Sequence, residues 1–130
     1  MAYIPMRACT LMLVEDDESV SQTALEMCAV LGHKVITARD GVEALQLYRI
    51  HRELIDVVLL DLNMPRMDGE ETFSELKKMN EKVKVVLVSG YPEQMIAEKF
   101  SGKGLAGYIQ KPYSFAAICD KLELIVGVEK

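Results

Sequence analysis

The segment that decides the fold of this chain is Asp56-Val57-Val58-Leu59-Leu60-Asp61, near the middle of its 130 residues. Four valine and leucine side chains in succession, bounded by two acids, are typical of a strand that is buried on both faces. Strands of this kind occur in parallel sheets that helices cover on both sides. The segment therefore predicts an α/β fold, with helices between this strand and its neighbours.

The rest of the chain alternates between strand patterns and helix patterns. Four further apolar runs of strand length are predicted as strands, and apolar residues at helical spacing follow each strand. The additional strands are predicted over residues 10–14, 35–38, 83–88 and 105–109. Helices are predicted through Val20 to Leu31, Val42 to Tyr48, Phe73 to Met79, Ile96 to Phe100, and Phe115 to Ile125. Five such units with right-handed crossovers predict a doubly wound, five-stranded parallel sheet, (βα)5.

Composition fits a single domain and excludes several classes of protein. Half of the residues are hydrophobic, which excludes a disordered chain, and the length suffices for a core without a disulfide or metal. With 15 Lys plus Arg against 20 Asp plus Glu, the net charge of -5 argues against a nucleic-acid surface. No apolar stretch approaches the roughly 20 residues of a membrane helix. We therefore expect no direct nucleic-acid or membrane partner.

Cysteine and histidine usage points to a reducing compartment and away from zinc. Cys9, Cys28 and Cys119 are far apart in apolar settings, which favours buried thiols over a disulfide framework. His33 and His51 are isolated from one another and are expected at the surface. No Cys-x-x-Cys pair is present, so a zinc site is not expected. A cytoplasmic location follows as the prediction.

Polar residues follow the predicted strands at the points where the strands end. Three acids, residues 15–17, follow the first strand; the third strand ends in Asp61, and Ser89 and Lys111 follow the fourth and fifth. The carboxyl ends of parallel strands meet at one edge of a doubly wound sheet, where ligands bind. We therefore expect these acids, the hydroxyl group and the lysine to converge there.

Such an edge suits phosphoryl transfer to the protein itself. Clustered carboxylates raise one another's pKa unless a cation neutralises them, and oxygen ligands without His or Cys suit Mg²⁺. A carboxylate such as Asp61 can attack phosphorus and form an acyl phosphate. Mg²⁺, the Lys111 ammonium and the Ser89 hydroxyl can each take one oxygen of the transferred group. The sequence therefore predicts an aspartyl phosphoacceptor site.

These motifs also carry a resemblance to a known family. They are Glu15-Asp16-Asp17, Leu-Leu-Asp-Leu-Asn-Met-Pro-Arg-Met-Asp-Gly at 59–69, Ser89-Gly90, and Tyr108-Ile-Gln-Lys111-Pro112. Because these motifs occur in this order, each at the end of a predicted strand, the chain resembles a receiver (response-regulator) domain of bacterial two-component signalling over residues 8–126. The resemblance implies the flavodoxin-like strand order 2-1-3-4-5. Residues 1–7 are interpreted as an N-terminal extension or an expression remnant, and residues 127–130 as a C-terminal tail.

The resemblance implies a ligand set around the acceptor. Asp61 would be the phosphoacceptor and would also bind Mg²⁺. Asp16 and Asp17 would form the acid pair that holds the metal, with Asp17 a direct ligand and Asp16 acting largely through water. The backbone carbonyl of Asn63 would complete the protein's share of the metal shell.

The remaining site residues would contact the phosphoryl group or respond to it. Ser89 and Lys111 would each bind one phosphoryl oxygen, and a cis peptide before Pro112 would place the amine. Tyr108 would be an aromatic switch that turns inward when Ser89 moves toward the phosphoryl group, altering the face made by the fourth helix, fifth strand and fifth helix. Structural roles in the loops are expected for Pro65, Gly69 and Gly90.

The leading hypothesis is therefore a phosphorylation-controlled switch rather than a turnover enzyme. A histidine kinase or histidine phosphotransfer domain would donate the phosphoryl group, and the domain would promote its own phosphorylation and dephosphorylation. The runs around residues 89–92 and 104–113 resemble receivers of hybrid sensor histidine kinases, so the parent chain is interpreted as such a kinase. A stand-alone receiver and a homodimer stay open.

Two alternatives also stay open. A haloacid-dehalogenase-like phosphatase would use an Asp nucleophile after a strand, but its motif has a second Asp where this chain has Asn63. A pseudo-receiver would bind partners without being phosphorylated, although the acids and Lys111 are intact.

Overall fold

The computed structural model describes residues 9–62, 68–111 and 114–126, in which five strands and five helices alternate. The strands are β1 (Thr10–Val14), β2 (Lys34–Ala38), β3 (Val57–Asp61), β4 (Val85–Ser89) and β5 (Gly107–Gln110). The helices are α1 (Glu18–Val30), α2 (Gly41–His51), α3 (Gly69–Met79), α4 (Glu93–Lys99) and α5 (Phe115–Val126). No described helix is both long enough and apolar enough to cross a bilayer.

The strands form one parallel sheet in the order β2-β1-β3-β4-β5. This order confirms the predicted doubly wound (βα)5 fold. Strand β3 is central, and all five of its residues are buried, as are those of β4. In the register of the sheet Asp61 pairs with Val88 and Ser89 pairs with Gln110, so the site residues end neighbouring strands at the same level.

Alternate side chains of the strands pack into two apolar layers, one on each face of the sheet. On one face Val58 and Leu60 of β3 contact a core that α2, α3 and α4 complete. On the other face Val57 and Leu59 contact a core that α1 and α5 complete, and this core also contains Cys9 and Cys28. Burial of both faces explains why the strands are almost continuously apolar. It also confirms that Cys9 and Cys28 are buried thiols, whereas the side chain of Cys119 is not among those described.

Aspartates start three of the helices. The side chains of Asp17, Asp40 and Asp68 accept hydrogen bonds from the first backbone N–H groups of α1, α2 and α3. These N–H groups have no partner within the helix, so each cap stabilises its helix by about 1 kcal/mol. Helix α1 ends before Gly32, whose φ of +84° is the left-handed conformation expected of glycine after a helix.

Two local expectations differ from the structure. His33, expected at the surface, is only 6% exposed, because its imidazole packs at the start of β1, where Nδ1 accepts a hydrogen bond from Cys9 N at 3.0 Å. Strands β4 and β5 begin two residues later than predicted. Val83 is buried and Leu105 half-buried, but both residues precede their strands.

Candidate functional site

Four parallel strands bring the predicted site residues to one edge of the sheet. Asp61 and Ser89 are the last residues of β3 and β4, Glu15 follows β1 directly, and Lys111 follows β5. Backbone hydrogen bonds hold this edge together: Glu15 N donates to Ala38 O at 3.0 Å, and Lys111 N donates to Ser89 O at 2.6 Å. Asp61 and Ser89 are therefore positioned by the strands that they end. Glu15 and Lys111 are positioned by backbone hydrogen bonds to the end of a neighbouring strand.

Three carboxylates form a compact acidic group at this edge. One carboxylate oxygen from each of Glu15, Asp16 and Asp61 lies within 4.8 Å of the other two. Glu15 and Asp61 are 5% and 4% exposed, whereas Asp16 faces solvent. Burial, reinforced by the negative charge of Asp61, raises the pKa of Glu15 to about 7. Oxygen donors with an excess of negative charge fit a hard divalent cation, so this group could bind a metal ion.

Asp17, predicted as a metal ligand, also caps a helix in the structure. Its carboxylate accepts hydrogen bonds from Ser19 N at 2.9 Å and Val20 N at 3.2 Å as the cap of α1. Glu15 and Asp16 thus lie with Asp61, and Asp17 is the residue that begins the helix. The sequence contains a signal for this cap. The helix is predicted to start at Glu18, and an acid directly before a helix is favoured as its cap.

Lys111 supplies positive charge to the acidic group. Its Nζ lies 3.2 Å from Asp61 Oδ2 and 3.5 Å from Glu15 Oε1. Partial burial alone would lower the pKa of Lys111, but the negative charges of Asp61 and Glu15 outweigh this effect and raise it. Lys111 therefore stays protonated beside the proposed acceptor.

Ser89 and Tyr108 form a buried hydroxyl pair next to this group. Ser89 Oγ and the Tyr108 hydroxyl are 2.9 Å apart, and Tyr91 N donates to Ser89 Oγ at 3.1 Å. The Tyr108 hydroxyl also contacts two backbone carbonyl oxygens, that of Ser89 at 3.0 Å and that of Tyr91. Tyr108 is only 6% exposed and points inward, which is one of the two arrangements that the switch hypothesis requires.

Gly69 and Gly90 border the site in different ways. Gly69 N donates to Leu62 O at 2.9 Å, and a Cβ on Gly69 would lie 2.5 Å from Leu62 Cα. A Cβ on Gly90 would have no atom within 4 Å. Gly69 is therefore required for a close approach of two backbone segments, whereas Gly90 leaves open space. The remaining predicted positions, Asn63, Pro65 and Pro112, lie outside the described residues.

Comparisons with known proteins identify a family for most of the chain. A family model described as the response regulator receiver domain matches residues 11–123. The sensor kinase CckA of Brucella abortus is 34% identical over 107 residues, which make up 82% of this chain and 11% of that protein. The polar-differentiation response regulator DivK of Brucella anthropi is 29% identical over 120 residues, 91% of this chain and 96% of that protein. The chain thus spans a small part of the sensor kinase and nearly all of the regulator.

A solved structure shares the whole architecture. In the complex of CheX and CheY with BeF3 and Mg²⁺ from Borrelia burgdorferi, the matching chain superposes with a TM-score of 0.84 at 27% identity. The match covers 88% of this chain and 87% of that chain. Its sheet and helices are therefore arranged as in the structure described above.

Proposed function

We propose that this chain, which belongs to the response regulator receiver domain family, accepts a phosphoryl group on Asp61 in a two-component phosphorelay. One observation carries the assignment of the acceptor. Asp61 ends the central strand, is almost completely buried, and has the Lys111 ammonium 3.2 Å from one oxygen, with Glu15 and Asp16 beside it. An acid merely capping a turn would not need a counter-charge from the end of a strand two positions away in the sheet.

The proposed reaction uses the groups that the strand ends hold. An oxygen of Asp61 attacks the phosphorus of a phosphohistidine, the P–N bond breaks, and its electron pair stays on the histidine nitrogen, which takes up a proton. Lys111 keeps its proton throughout and binds an oxygen of the transferred group. The Ser89 hydroxyl binds a second oxygen. The domain would in this way promote its own phosphorylation, and by the same contacts its dephosphorylation by water.

Mg²⁺ is the cofactor that this donor set fits best. Asp16 and Asp61 would hold it directly, and Glu15 would act through water. When bound, Mg²⁺ neutralises the charge that develops on the transferred phosphoryl oxygens. The backbone carbonyl of Asn63 stays a predicted ligand, as does Asp17, although the Asp17 carboxylate already accepts two backbone N–H groups in its cap.

The partner and the parent protein are also part of the proposal. Receiver domains interact with kinases or phosphotransfer proteins, and we propose a histidine kinase or a histidine phosphotransfer domain as the donor. The similarity to the sensor kinase CckA supports the origin from a hybrid histidine kinase. The receiver bounds 8–126, the cytoplasmic location and the homodimer stay predictions. Phosphorylation would change the face formed by α4, β5 and α5, because Tyr108 belongs to β5.

Family membership and site geometry disfavour the two alternatives. A pseudo-receiver has no need for the ion pair between the buried Asp61 and the half-buried Lys111, which this chain retains. A haloacid-dehalogenase-like phosphatase belongs to another family and places its nucleophile after the first strand, whereas Asp61 follows the third.

The test is phosphorylation by a small donor. The wild-type chain, incubated with Mg²⁺ and acetyl phosphate, should form an acyl phosphate that phosphate-affinity electrophoresis resolves and that hydroxylamine removes. Asp61→Asn should abolish the adduct. Asp56→Asn is the matched control: Asp56 lies before the same strand at the opposite edge, where it accepts from Thr10 N at 2.8 Å, and the amide oxygen of Asn can replace that bond.

Two outcomes would contradict the proposal. An adduct that persists in Asp61→Asn would place the acceptor elsewhere, and no adduct in a folded wild-type chain would remove the phosphoacceptor assignment. Sustained release of phosphate over many turnovers from a phosphomonoester would instead support the phosphatase alternative.

A further inference from the structure

We infer that the edge of the sheet opposite the proposed acceptor site is a docking surface for an anionic lipid bilayer. The strands begin at this edge, and we call it the amino edge; it comprises residues 30–34, 49–56 and 80–84 and the last turn of α5. The inference goes beyond the proposed function, because it involves none of the residues around Asp61. It rests on how charged and apolar side chains are distributed between the two ends of the domain.

Charge is separated along the direction of the strands. The first turns of α1 to α4, on the side of the acceptor site, contain acidic residues, whereas the last turns of α2 and α3 contain basic ones. Five exposed cations lie at the amino edge, where a helix ends or a strand begins: Lys34, Arg49, Arg52, Lys82 and Lys84. Two exposed acids, Glu53 and Glu81, lie among them. The net charge of -5 is therefore a sum over an acidic end and a basic end.

This separation bears on the expectation that the chain has no membrane partner. That expectation used the sum of the charges and the lack of a spanning segment. Contact with the surface of a bilayer requires neither a positive sum nor a spanning segment, because charges further than about 10 Å from the lipid are largely screened at 0.1 M salt.

The two arginines of the amino edge are available to a ligand. No described carboxylate lies within ion-pair distance of Arg49 or Arg52, and both side chains are exposed. A favourable interaction with the helix dipole accounts for a cation at the end of α2. It does not account for the exposed apolar side chains beside these cations.

Large apolar side chains are concentrated at the same edge. Six are exposed among the described residues, and four of these lie at the amino edge, with 63% to 82% of their surface exposed: Val30, Ile50, Leu54 and Leu124. Ile50 and Leu54 are four positions apart at the end of α2, on the same segment as the two arginines. Val30 and Leu124 lie in the last turns of α1 and α5, which cover the other face of the sheet.

The shape of the amino edge favours a bilayer over other partners. The four apolar residues do not line any of the four cavities described on the surface, so they protrude and form no groove for a peptide. A second copy that docked through the same edge would bring like charges together at Arg49 and Arg52. On an anionic bilayer the protruding aliphatic groups enter the headgroup region and the cations bind the lipid phosphates.

Docking through the amino edge leaves the acceptor site accessible. Asp61 is the last residue of β3, and a strand of five residues places it about 13 Å from the first residue of that strand. The acidic end is repelled by anionic lipid, which favours the orientation with Asp61 turned away from the bilayer. A phosphoryl donor can therefore reach Asp61 while the domain is bound.

The experiment measures cosedimentation of the full chain with phosphatidylcholine vesicles that contain either no phosphatidylglycerol or one third of it. We expect binding only to the anionic vesicles, and a loss of at least about tenfold when salt is raised from about 0.1 M to about 1 M. Arg49→Gln/Arg52→Gln should weaken binding at least about tenfold, because each cation near an anionic surface contributes about fivefold. Ile50→Ser/Leu54→Ser should weaken it about tenfold without changing its dependence on salt.

Two matched controls test whether the effect belongs to the amino edge. Arg39→Gln/Lys99→Gln has the same net charge as the arginine variant, but its cations pair with Glu43 and Glu70 near the acceptor end, so binding should equal that of the wild type. Met95→Ser removes an apolar side chain that is 51% exposed in α4 and should also leave binding unchanged. Urea unfolding checks that each variant is folded.

The outcomes separate this inference from the proposed function. If the folded wild type does not sediment with anionic vesicles, the inference is overturned and the amino edge is left to a protein partner. If the charge control loses as much binding as the arginine variant, only net charge matters and the inference is again overturned. Formation of the Asp61 adduct with acetyl phosphate is measured separately, and its absence would remove the proposed function without affecting binding to vesicles.

Discussion

Replacing Gly69 with alanine should destabilise the domain, although alanine is the better helix former. Gly69 is the first residue of α3, where alanine gains at most about 1 kcal/mol over glycine. The added Cβ would lie 2.5 Å from Leu62 Cα and 2.6 Å from the carbonyl oxygen of Asp61. Both atoms belong to the backbone, so no side-chain rotation can relieve the contact.

The size of the effect follows from these distances. Ordinary contact of a Cβ begins at 3.4 Å, so the two backbone segments must separate by about 0.9 Å. Overpacking of this kind costs about 1–3 kcal/mol, and we expect the upper end because Asp61 and Leu62 are buried. After subtraction of the helical gain, the free energy of unfolding should fall by about 2 kcal/mol. With an m-value of about 1.5 kcal/mol/M, the urea midpoint falls by about 1.3 M.

Two further glycines provide the controls for the urea measurement. Gly90→Ala adds a Cβ with no neighbour within 4 Å and should change the free energy of unfolding by less than about 0.5 kcal/mol. The Cβ of Gly32→Ala also meets no neighbour, but the residue has a φ of +84°. This variant therefore measures the cost of the left-handed conformation alone, and its free energy of unfolding should fall by about 1 kcal/mol. The reasoning is refuted if Gly69→Ala is as stable as Gly90→Ala. Because the displaced backbone includes the Asp61 carbonyl, Gly69→Ala should also slow phosphorylation by acetyl phosphate.

Three further predictions concern charge and pH in metal-free buffer. Lys111→Met removes the ammonium group that lies 3.5 Å from Glu15 Oε1, so the pKa of Glu15 should rise above about 7 in a carbon-13 NMR titration of its carboxyl group. An unchanged or lower pKa contradicts the ion pairing. Because the folded-state pKa of Glu15 is raised to about 7 from 4.5, its contribution to stability is complete below about pH 4.5 and is lost as the pH rises through 7. Urea midpoints at about pH 5 and about pH 8 should therefore differ less in Glu15→Gln than in the wild type, and equal pH dependence would refute the raised pKa. Burial lowers the pKa of His33, so the free energy of unfolding should fall as the pH falls below about 6.5. In the Glu15→Gln background, the further substitution His33→Gln should remove that fall. If plots of the urea midpoint against pH are parallel with and without His33, the lowered pKa is contradicted.

The element order could be predicted because burial on both faces leaves a strong pattern in the sequence. The run from Val57 to Leu60 is apolar throughout, and the structure buries every residue of β3. Strand limits were harder to predict, since an apolar side chain can be buried without belonging to the hydrogen-bonded ladder. Val83 is buried, yet its N–H donates to Asn80 O in a turn, and β4 begins only at Val85.

The candidate site could be predicted to the level of its edge, but not to the level of each acid. Residues 15–17 are three consecutive carboxylates, and the composition of the run does not show which of them face the sheet edge. In the structure Asp17 caps α1, whereas carboxylate oxygens of Glu15 and Asp16 lie close to Asp61. The burial of His33 could not be predicted from the strand pattern, since it depends on a hydrogen bond to Cys9, 24 positions away.

The long separations within the site determine when it can exist during synthesis and folding. Asp61 and Lys111 are 50 positions apart, and Glu15 and Lys111 are 96 apart. A nascent chain that has paired β1 with β3 already brings Glu15 near Asp61, but the neutralising lysine arrives only after β4 and β5 have joined the sheet. Contacts this distant in sequence form slowly, because the chain must first close a long loop. The charge balance at the acceptor is therefore a property of the completed fold, and truncation before β5 would leave the acids together without their lysine.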